Sequence, residues 1–251
     1  MNRMDWRPAA SIDVLRQRSA MLARARAYFA SQQVLEVQTP LLSACAASEP
    51  QIESIAAQPS YGPPMYLQTS PEYPMKRLLA AGIGDCYQVC PVFRDGEAGR
   101  LHNPEFTMIE WYRVGFGVAD LQRDVDRLAR AAIGDLRVLA PSRQVTYREA
   151  ISEACGLDCA TAGPGEIAAA LGERGISPAG AVDWDRDAWL DLLMAAVVGP
   201  GLGRQAPMDA PLGSWLAAGA PGAPNPWHDP VDHLVAGFSA VYHPNPLDAK
   251  A

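Results

Sequence analysis

The side chains of this chain that could do chemistry are concentrated in one stretch from Phe93 to Arg113, FRDGEAGRLHNPEFTMIEWYR. Arg94 is followed by Asp95 and Glu97, then by His102 and Asn103, by Glu105 and Phe106, and by the closing run Glu110, Trp111, Tyr112, Arg113. Arginine presents a planar fork of donors that suits phosphate, and an aromatic ring offers a flat stacking face to a base. An exposed hairpin that merely alternates polar and apolar residues would not need Arg94, His102, Asn103, Glu105 and Glu110 together. The density marks a site.

Two strands must position these groups. Cys86 to Phe93 (CYQVCPVF) is apolar and β-favouring, and Glu105 to Tyr112 alternates Phe106, Met108 and Trp111 with polar neighbours. Asp95-Gly96-Glu97-Ala98-Gly99 between them has loop composition. The pattern predicts a long antiparallel hairpin with charged residues on one face. Upstream, residues 11 to 33 read as a helix capped by Ser11, with Ile12, Leu15, Leu22, Ala25 and Phe29 near helical spacing. Val34 to Pro40 then extends, because proline disfavours helix in the residue before it. Residues 43 to 64 read as a loop and Met65 to Thr69 as a short strand. Ser70 is expected to cap the following helix with Pro71 at its first position, where a missing N–H costs nothing, and Glu72 complements the helix dipole. After the hairpin, helices are expected at Val118 to Ile133, Tyr147 to Cys155, Glu166 to Arg174 and Asp185 to Val198, with Arg137 to Gln144 a strand or loop. Their charges, among them Asp120, Arg123, Asp124, Asp126, Arg127, Asp185, Arg186 and Asp187, read as solvated faces without chemistry.

F-R-x-x-E followed by H-N-P-E-F-T-M-x-E-W-Y-R resembles motif 2 of the class II aminoacyl-tRNA synthetases of the lysyl type, and the ending EWYR is most similar to the paralogues that ligate lysine to elongation factor P. A helix followed by V-L-E-V-x-T-P resembles motif 1, the dimer interface of that family, and T-S-P-E-x-x-x-K-R-L-L is a further lysyl-type signature. The resemblance implies an α/β fold in which an antiparallel sheet is flanked by helices. It implies that Arg94 binds the α-phosphate of ATP and is catalytic. Asp95, Gly96, Glu97, His102, Asn103 and Phe106 would complete the ATP site, Asn103 at phosphate or metal and Phe106 under adenine. Ser70, Pro71, Glu72, Glu110 and Tyr112 would form the amino-acid pocket, with Glu72 at the substrate amino group. The lysyl-type pattern has glutamate where this chain has Gly96, so Glu97 is the candidate substitute. ATP and Mg²⁺ are the implied cofactors, with no side chain assigned as a metal ligand. The implied activity is activation of lysine or β-lysine to an aminoacyl-adenylate and ligation to a lysine of elongation factor P, by a cytoplasmic homodimer. Lysyl-type aminoacylation of tRNA and a non-catalytic, truncated remnant are the alternatives. The segment that resembles motif 1 begins almost at the N-terminus, so a preceding anticodon-binding domain is not expected.

Composition bounds the rest. A formal charge of -7 and a pI near 5.1 argue against a partner held by clustered Lys and Arg, so tRNA is not expected. The N-terminus lacks the apolar core of a signal peptide, and no apolar run reaches the ~20 residues of a membrane span. Five cysteines, Cys45, Cys86, Cys90, Cys155 and Cys159, without a secretory signal predict reduced thiols. On a strand Cys86 and Cys90 would stand ~13 Å apart, too far to share a zinc.

The resemblance covers residues 5 to 205 and then gives way to a Pro-, Ala- and Gly-rich tail, 206 to 251. From Arg204 onward there are eight prolines, no glutamate, and His228, His233 and His243 at spacings that match no metal motif. An E-L-A-N-G-F-H-E-L-like segment and a glycine-rich motif 3 with its arginine are not found there. The expectation is a catalytic domain incomplete on its C-terminal side, from a reading-frame change or a truncated gene, with a genuine alternative C-terminus as the competing account.

Overall fold

The computed structural model describes residues 10–49, 52–99, 102–178 and 183–202. They divide between Leu139 and Ala140 into two compact units. In the first, helix α1 (Ile12–Ser31) is capped by Ser11, whose Oγ accepts from the Val14 N–H at 3.3 Å. It buries Met21, Ala25 and Phe29, four residues apart and therefore on one face. The chain turns through Gln33 at φ 58° into β1 (Leu35–Glu36), then runs through β2 (Leu42–Ser43), β3 (Ala56–Ala57), β4 (Met65–Leu67), α2 (Glu72–Ala80), β5 (Cys86–Phe93), β6 (Glu105–Tyr112) and α3 (Val118–Ile133).

The predicted hairpin forms, but its charged residues are not on one face: Glu105 and Glu110 are five positions apart on β6 and point to opposite sides of the sheet. β5 and β6 pair antiparallel over all eight residues, from Cys86 opposite Tyr112 to Phe93 opposite Glu105. β1 adds a parallel neighbour to β5, giving the order β1-β5-β6. Because side chains alternate along a strand, Tyr87, Val89, Ile109 and Trp111 share the face that packs on Phe29 of α1 and on Leu128 and Ala132 of α3. Phe29 stacks on Tyr87 with ring centroids 4.1 Å apart and meets Trp111 at 5.8 Å. Truncating a fully buried aromatic costs about 3–5 kcal/mol. Phe29→Ala should therefore lower the unfolding free energy of this unit, read by circular dichroism in urea, by that amount; a loss under about 1 kcal/mol would mean that the helix layer is not what holds the sheet.

Two further expectations need correction. Residues 43 to 64 are not all loop: β2, β4 and β3 form a second, antiparallel sheet in that order. Strands of two residues are too short for alternation to appear in a sequence. This sheet is tied to the hairpin where the Phe93 N–H donates to the Gln68 carbonyl at 2.9 Å, which lays the segment 68–72 beside β5. The second correction is Asp124, expected on a solvated face of α3 but only 3% exposed.

The second unit is helical. α4 (Tyr147–Cys155) starts on a capping box in which Thr146 Oγ1 accepts from the Glu149 N–H at 3.1 Å and the Glu149 carboxylate accepts from the Thr146 N–H at 2.7 Å. It ends at Gly156, whose φ of 71° favours glycine. α5 (Pro164–Gly172) begins two residues before its predicted start, with proline in the first turn. α6 (Arg186–Leu193) is capped by Asp185 and continues into a π-helical turn, Met194–Val198. Ile151, Ile167, Leu171 and Leu193 form its core. Arg137 to Gln144 is irregular, with no strand ladder. No described helix is long and apolar enough to cross a membrane.

Candidate active site

The hairpin face turned away from α1 and α3 carries Cys86, Gln88, Cys90 and Val92 of β5 against Tyr112, Glu110, Met108 and Phe106 of β6. Arg94 extends it, since its backbone N–H donates to the Pro104 carbonyl at 2.9 Å. The predicted site residues fall into two groups on this face.

At the loop end, the Arg94 guanidinium lies over the Phe106 ring, 5.1 Å from its centroid, a cation–π contact. Its Nη1 stands 3.5 Å from Glu97 Oε1, and its Nε donates to the Thr69 carbonyl at 3.4 Å. These contacts aim a largely covered arginine while engaging only two of its five N–H donors. The loop that follows is built for shape. Gly96 sits at φ 71°, a left-handed turn that explains why glycine stands where the resemblance expects glutamate. Asp95 pairs by its N–H with the Glu53 carbonyl at 2.8 Å and uses its carboxylate on the Gly96 N–H at 2.9 Å, so its role here is to hold the turn. Glu97 faces Arg94, and exposed His102 closes the loop through backbone bonds with Gly99. Asn103 has a buried Nδ2 without a hydrogen-bond partner among the described residues. A donor left so costs about 1–3 kcal/mol, and a phosphate oxygen would satisfy it.

At the other end, Glu110 is gripped at both carboxylate oxygens. Ser70 Oγ donates to Oε2 at 2.6 Å, and the Tyr112 hydroxyl donates to Oε1 at 2.7 Å. Burial holds the Glu110 carboxyl above the usual carboxylate range, an effect that the Ser70 and Tyr112 hydrogen bonds offset only in part. Burial, and then the adjacent Glu110, raise the Tyr112 phenol, so it stays a donor. Ser70 Oγ also accepts from the Glu72 N–H at 3.0 Å. α2 therefore begins one residue later than expected: Pro71, fully buried, is the N-cap residue, and the Ser70 hydroxyl supplies the cap from one place upstream. Glu72 pairs with Lys76 one turn along. Two carboxylates, a phenol and a hydroxyl converge here, an arrangement suited to an ammonium group.

Sequence reading passed over the floor between the two groups. Gln88, directly opposite Glu110 and 1% exposed, accepts from the Thr39 N–H at 3.1 Å, while its Nε2 has no partner among the described residues. Buried Gln68 donates to the Cys90 Sγ at 3.3 Å and to the Pro91 carbonyl at 3.0 Å. The signal was a polar residue at an inward position of an otherwise apolar strand. Among the described residues no group of three His, Cys, Asp or Glu side chains could hold a metal ion.

The family model of tRNA synthetases class II (D, K and N) matches residues 1–195. The chain is 40% identical over 207 residues to an elongation factor P–(R)-β-lysine ligase of Pseudoalteromonas translucida, a match covering 80% of this chain and 63% of that protein. It is 36% identical over 246 residues to the ligase of the same name from Vibrio parahaemolyticus (95% and 72%), and 37% identical over 212 residues to the one from Vibrio cholerae (82% and 64%). The matched part thus spans a little under two thirds of the length of the first of these relatives.

Proposed function

Because the chain belongs to the tRNA synthetases class II (D, K and N), we propose that it activates lysine or β-lysine with ATP and passes the acyl group to a lysine of elongation factor P. The observation that carries this reading is the division of one hairpin face into a phosphate-suited end, Arg94 over Phe106, and an ammonium-suited end, Ser70–Glu110–Tyr112. The names of the relatives supply the substrates.

In the first step the amino-acid carboxylate attacks the α-phosphate, a P–O bond forms, and pyrophosphate leaves. In the second, the ε-amine of the acceptor lysine attacks the acyl carbonyl, an amide forms, and AMP leaves with the electron pair of the broken C–O bond. Positioning and charge neutralisation do most of this work. Arg94 neutralises charge at the α-phosphate, Asn103 donates to a phosphate oxygen, and Phe106 offers a ring to adenine. Glu72 and Glu110 take the substrate ammonium, oriented by Ser70 and Tyr112, with Pro71 shaping the wall. Mg²⁺ accompanies ATP in this reading, but the described side chains provide no cage for it, and none of these roles runs through it.

Residues 5–205 are assigned to the catalytic core and 206–251 to a separate tail; the tail lies outside the described residues. A cytoplasmic homodimer is part of the proposal, supported by the exposed Ile12, Leu15, Leu35, Leu41 and Leu42 on and beside α1 and β1, where the motif 1 resemblance lies. The second reading, aminoacylation of tRNA, is favoured by the description of the family and disfavoured by the charge of -7.

The deciding experiment is lysine- and β-lysine-dependent ATP–pyrophosphate exchange followed by transfer to elongation factor P and, separately, to tRNA. Transfer to the protein alone is expected; charging of tRNA alone would overturn the reading. Glu72→Gln is expected to weaken amino-acid binding roughly 10- to 100-fold, the scale of one hydrogen bond to a charged group. Calorimetric titration with lysine and with ATP reads this directly. A change confined to ATP affinity would remove Glu72 from the amino-acid pocket.

A further inference from the structure

Behind the hairpin, on the helix-facing side, lies a buried charged cluster that none of the roles above uses. Trp111 and Arg113 flank Tyr112 in sequence, and alternation sends Trp111 to the opposite face of the sheet from Tyr112. Trp111 Nε1 donates to Asp124 Oδ2 at 3.1 Å, and the Tyr28 hydroxyl donates to Asp124 Oδ1. Arg113 Nε stands 3.9 Å from Asp124 Oδ2 and 3.1 Å from Asp85 Oδ2, a pairing of charges without hydrogen-bond alignment, since Nε and Nη1 of Arg113 have no hydrogen-bond partner among the described residues. Asp85 in turn accepts from the Val114 N–H at 2.7 Å, and the Arg113 guanidinium lies over Phe116 at 4.6 Å. The Asp124 side chain is 3% exposed and that of Arg113 9%. One carboxylate thus ties together α1, α3 and the last residues of β6.

Stability alone does not call for such a cluster. Replacing buried ion pairs with well-packed apolar residues is often neutral or favourable, whereas their directional bonds fix one geometry. What this geometry fixes is the backbone on either side of Tyr112, whose hydroxyl holds Glu110 on the other face. We propose that Asp124 is a positioning residue for the amino-acid pocket: by holding Trp111 from behind, with the Arg113 charge beside it, it sets the Tyr112 hydroxyl on Glu110. The Arg94–Phe106 group lies six residues along β6, about 20 Å away at strand spacing, and is outside its reach. The inference rests on the assignment of Ser70, Glu110 and Tyr112 to the amino acid.

The test compares the full 251-residue chain with its Asp124→Ala and Trp111→Phe variants by hydrogen–deuterium exchange and by calorimetric titration with lysine, β-lysine and ATP. In Asp124→Ala the amides of residues 110–113 should exchange about tenfold faster while those of 105–108 keep their rates, and affinity for the amino acid should fall about tenfold with that for ATP within twofold. Trp111→Phe keeps the ring in the core and removes one donor, so it should show the same pattern more weakly. If Asp124→Ala does not fold, this variant decides. Unchanged exchange at 110–113, a uniform rise across the hairpin, or equal losses of amino-acid and ATP affinity would each overturn the proposal. Should the unsubstituted chain bind neither lysine isomer, the amino-acid assignment fails and the positioning claim, which rests on it, is overturned with it; the exchange pattern would then separate that outcome from loss of the clamp itself.

Discussion

Replacing residues 203–251 with the C-terminal third of the Vibrio cholerae relative is expected to raise lysine-dependent pyrophosphate exchange at least ~10²-fold over the 251-residue chain. The reason is a count of charge. Residues 203–251 contain one arginine, Arg204, one lysine, Lys250, and no glutamate. A pentavalent phosphate needs fixed donors around it, and among the described residues of the hairpin face Arg94 is the cation placed for the task. The resemblance places Phe106 on one side of adenine and assigns the opposite side to an arginine of motif 3, and residues 206–251 contain no arginine. One preorganised donor of this kind is worth ~10² to 10³ in rate. Parallel assays of the chain and the chimera measure the difference, and equal rates would mean that residues 10–202 already hold every group that stabilises the transition state.

The two strands were legible as elements, because β-favouring eight-residue runs on either side of a glycine-containing loop mark a hairpin. Their faces were not, since Phe106 and Met108 share a side with Glu110 and Tyr112 while Ile109 and Trp111 pack on the helices. What joins Glu110 to Ser70 is not local: the two lie forty residues apart, and their contact exists because the Phe93–Gln68 bond docks the small sheet on the hairpin. That sheet is made of strands too short to show a period. Asp124 illustrates a different failure. It lies four residues before Leu128 and eight before Ala132, on the buried stripe of α3; its spacing announced burial and its charge announced exposure. A carboxylate with Trp111 and Tyr28 as donors resolves that conflict in favour of spacing. The 95 loop shows the converse, because Gly96 looked like a lost recognition residue and is a backbone turn at positive φ.

Arg94→Ala, made in whichever form exchanges faster, should lower adenylate formation by ~10² to 10³ while leaving the fold intact. The two halves of this expectation come from different observations. The guanidinium contributes little to folding: its ion pair with Glu97 is long, at 3.5 Å, and both side chains are partly exposed, 22% and 30%, a setting in which pairs contribute about 0–1 kcal/mol. Its position is nevertheless tightly set, by the Phe106 ring on one side and the Thr69 carbonyl on the other. A group that is held in place without being needed for stability is what a site that stabilises developing charge requires, since the arginine then pays no reorganisation when the phosphate arrives. Arg94→Lys should not restore the rate, because an ammonium lacks the planar fork that can span two phosphate oxygens. Amino-acid affinity should hold within a few-fold in both variants, since Ser70, Glu110 and Tyr112 sit at the far end of the hairpin. Exchange at the unsubstituted rate in Arg94→Ala would remove the residue from the mechanism. A parallel loss of lysine affinity would instead mean that the two ends of this face do not work as separate sites.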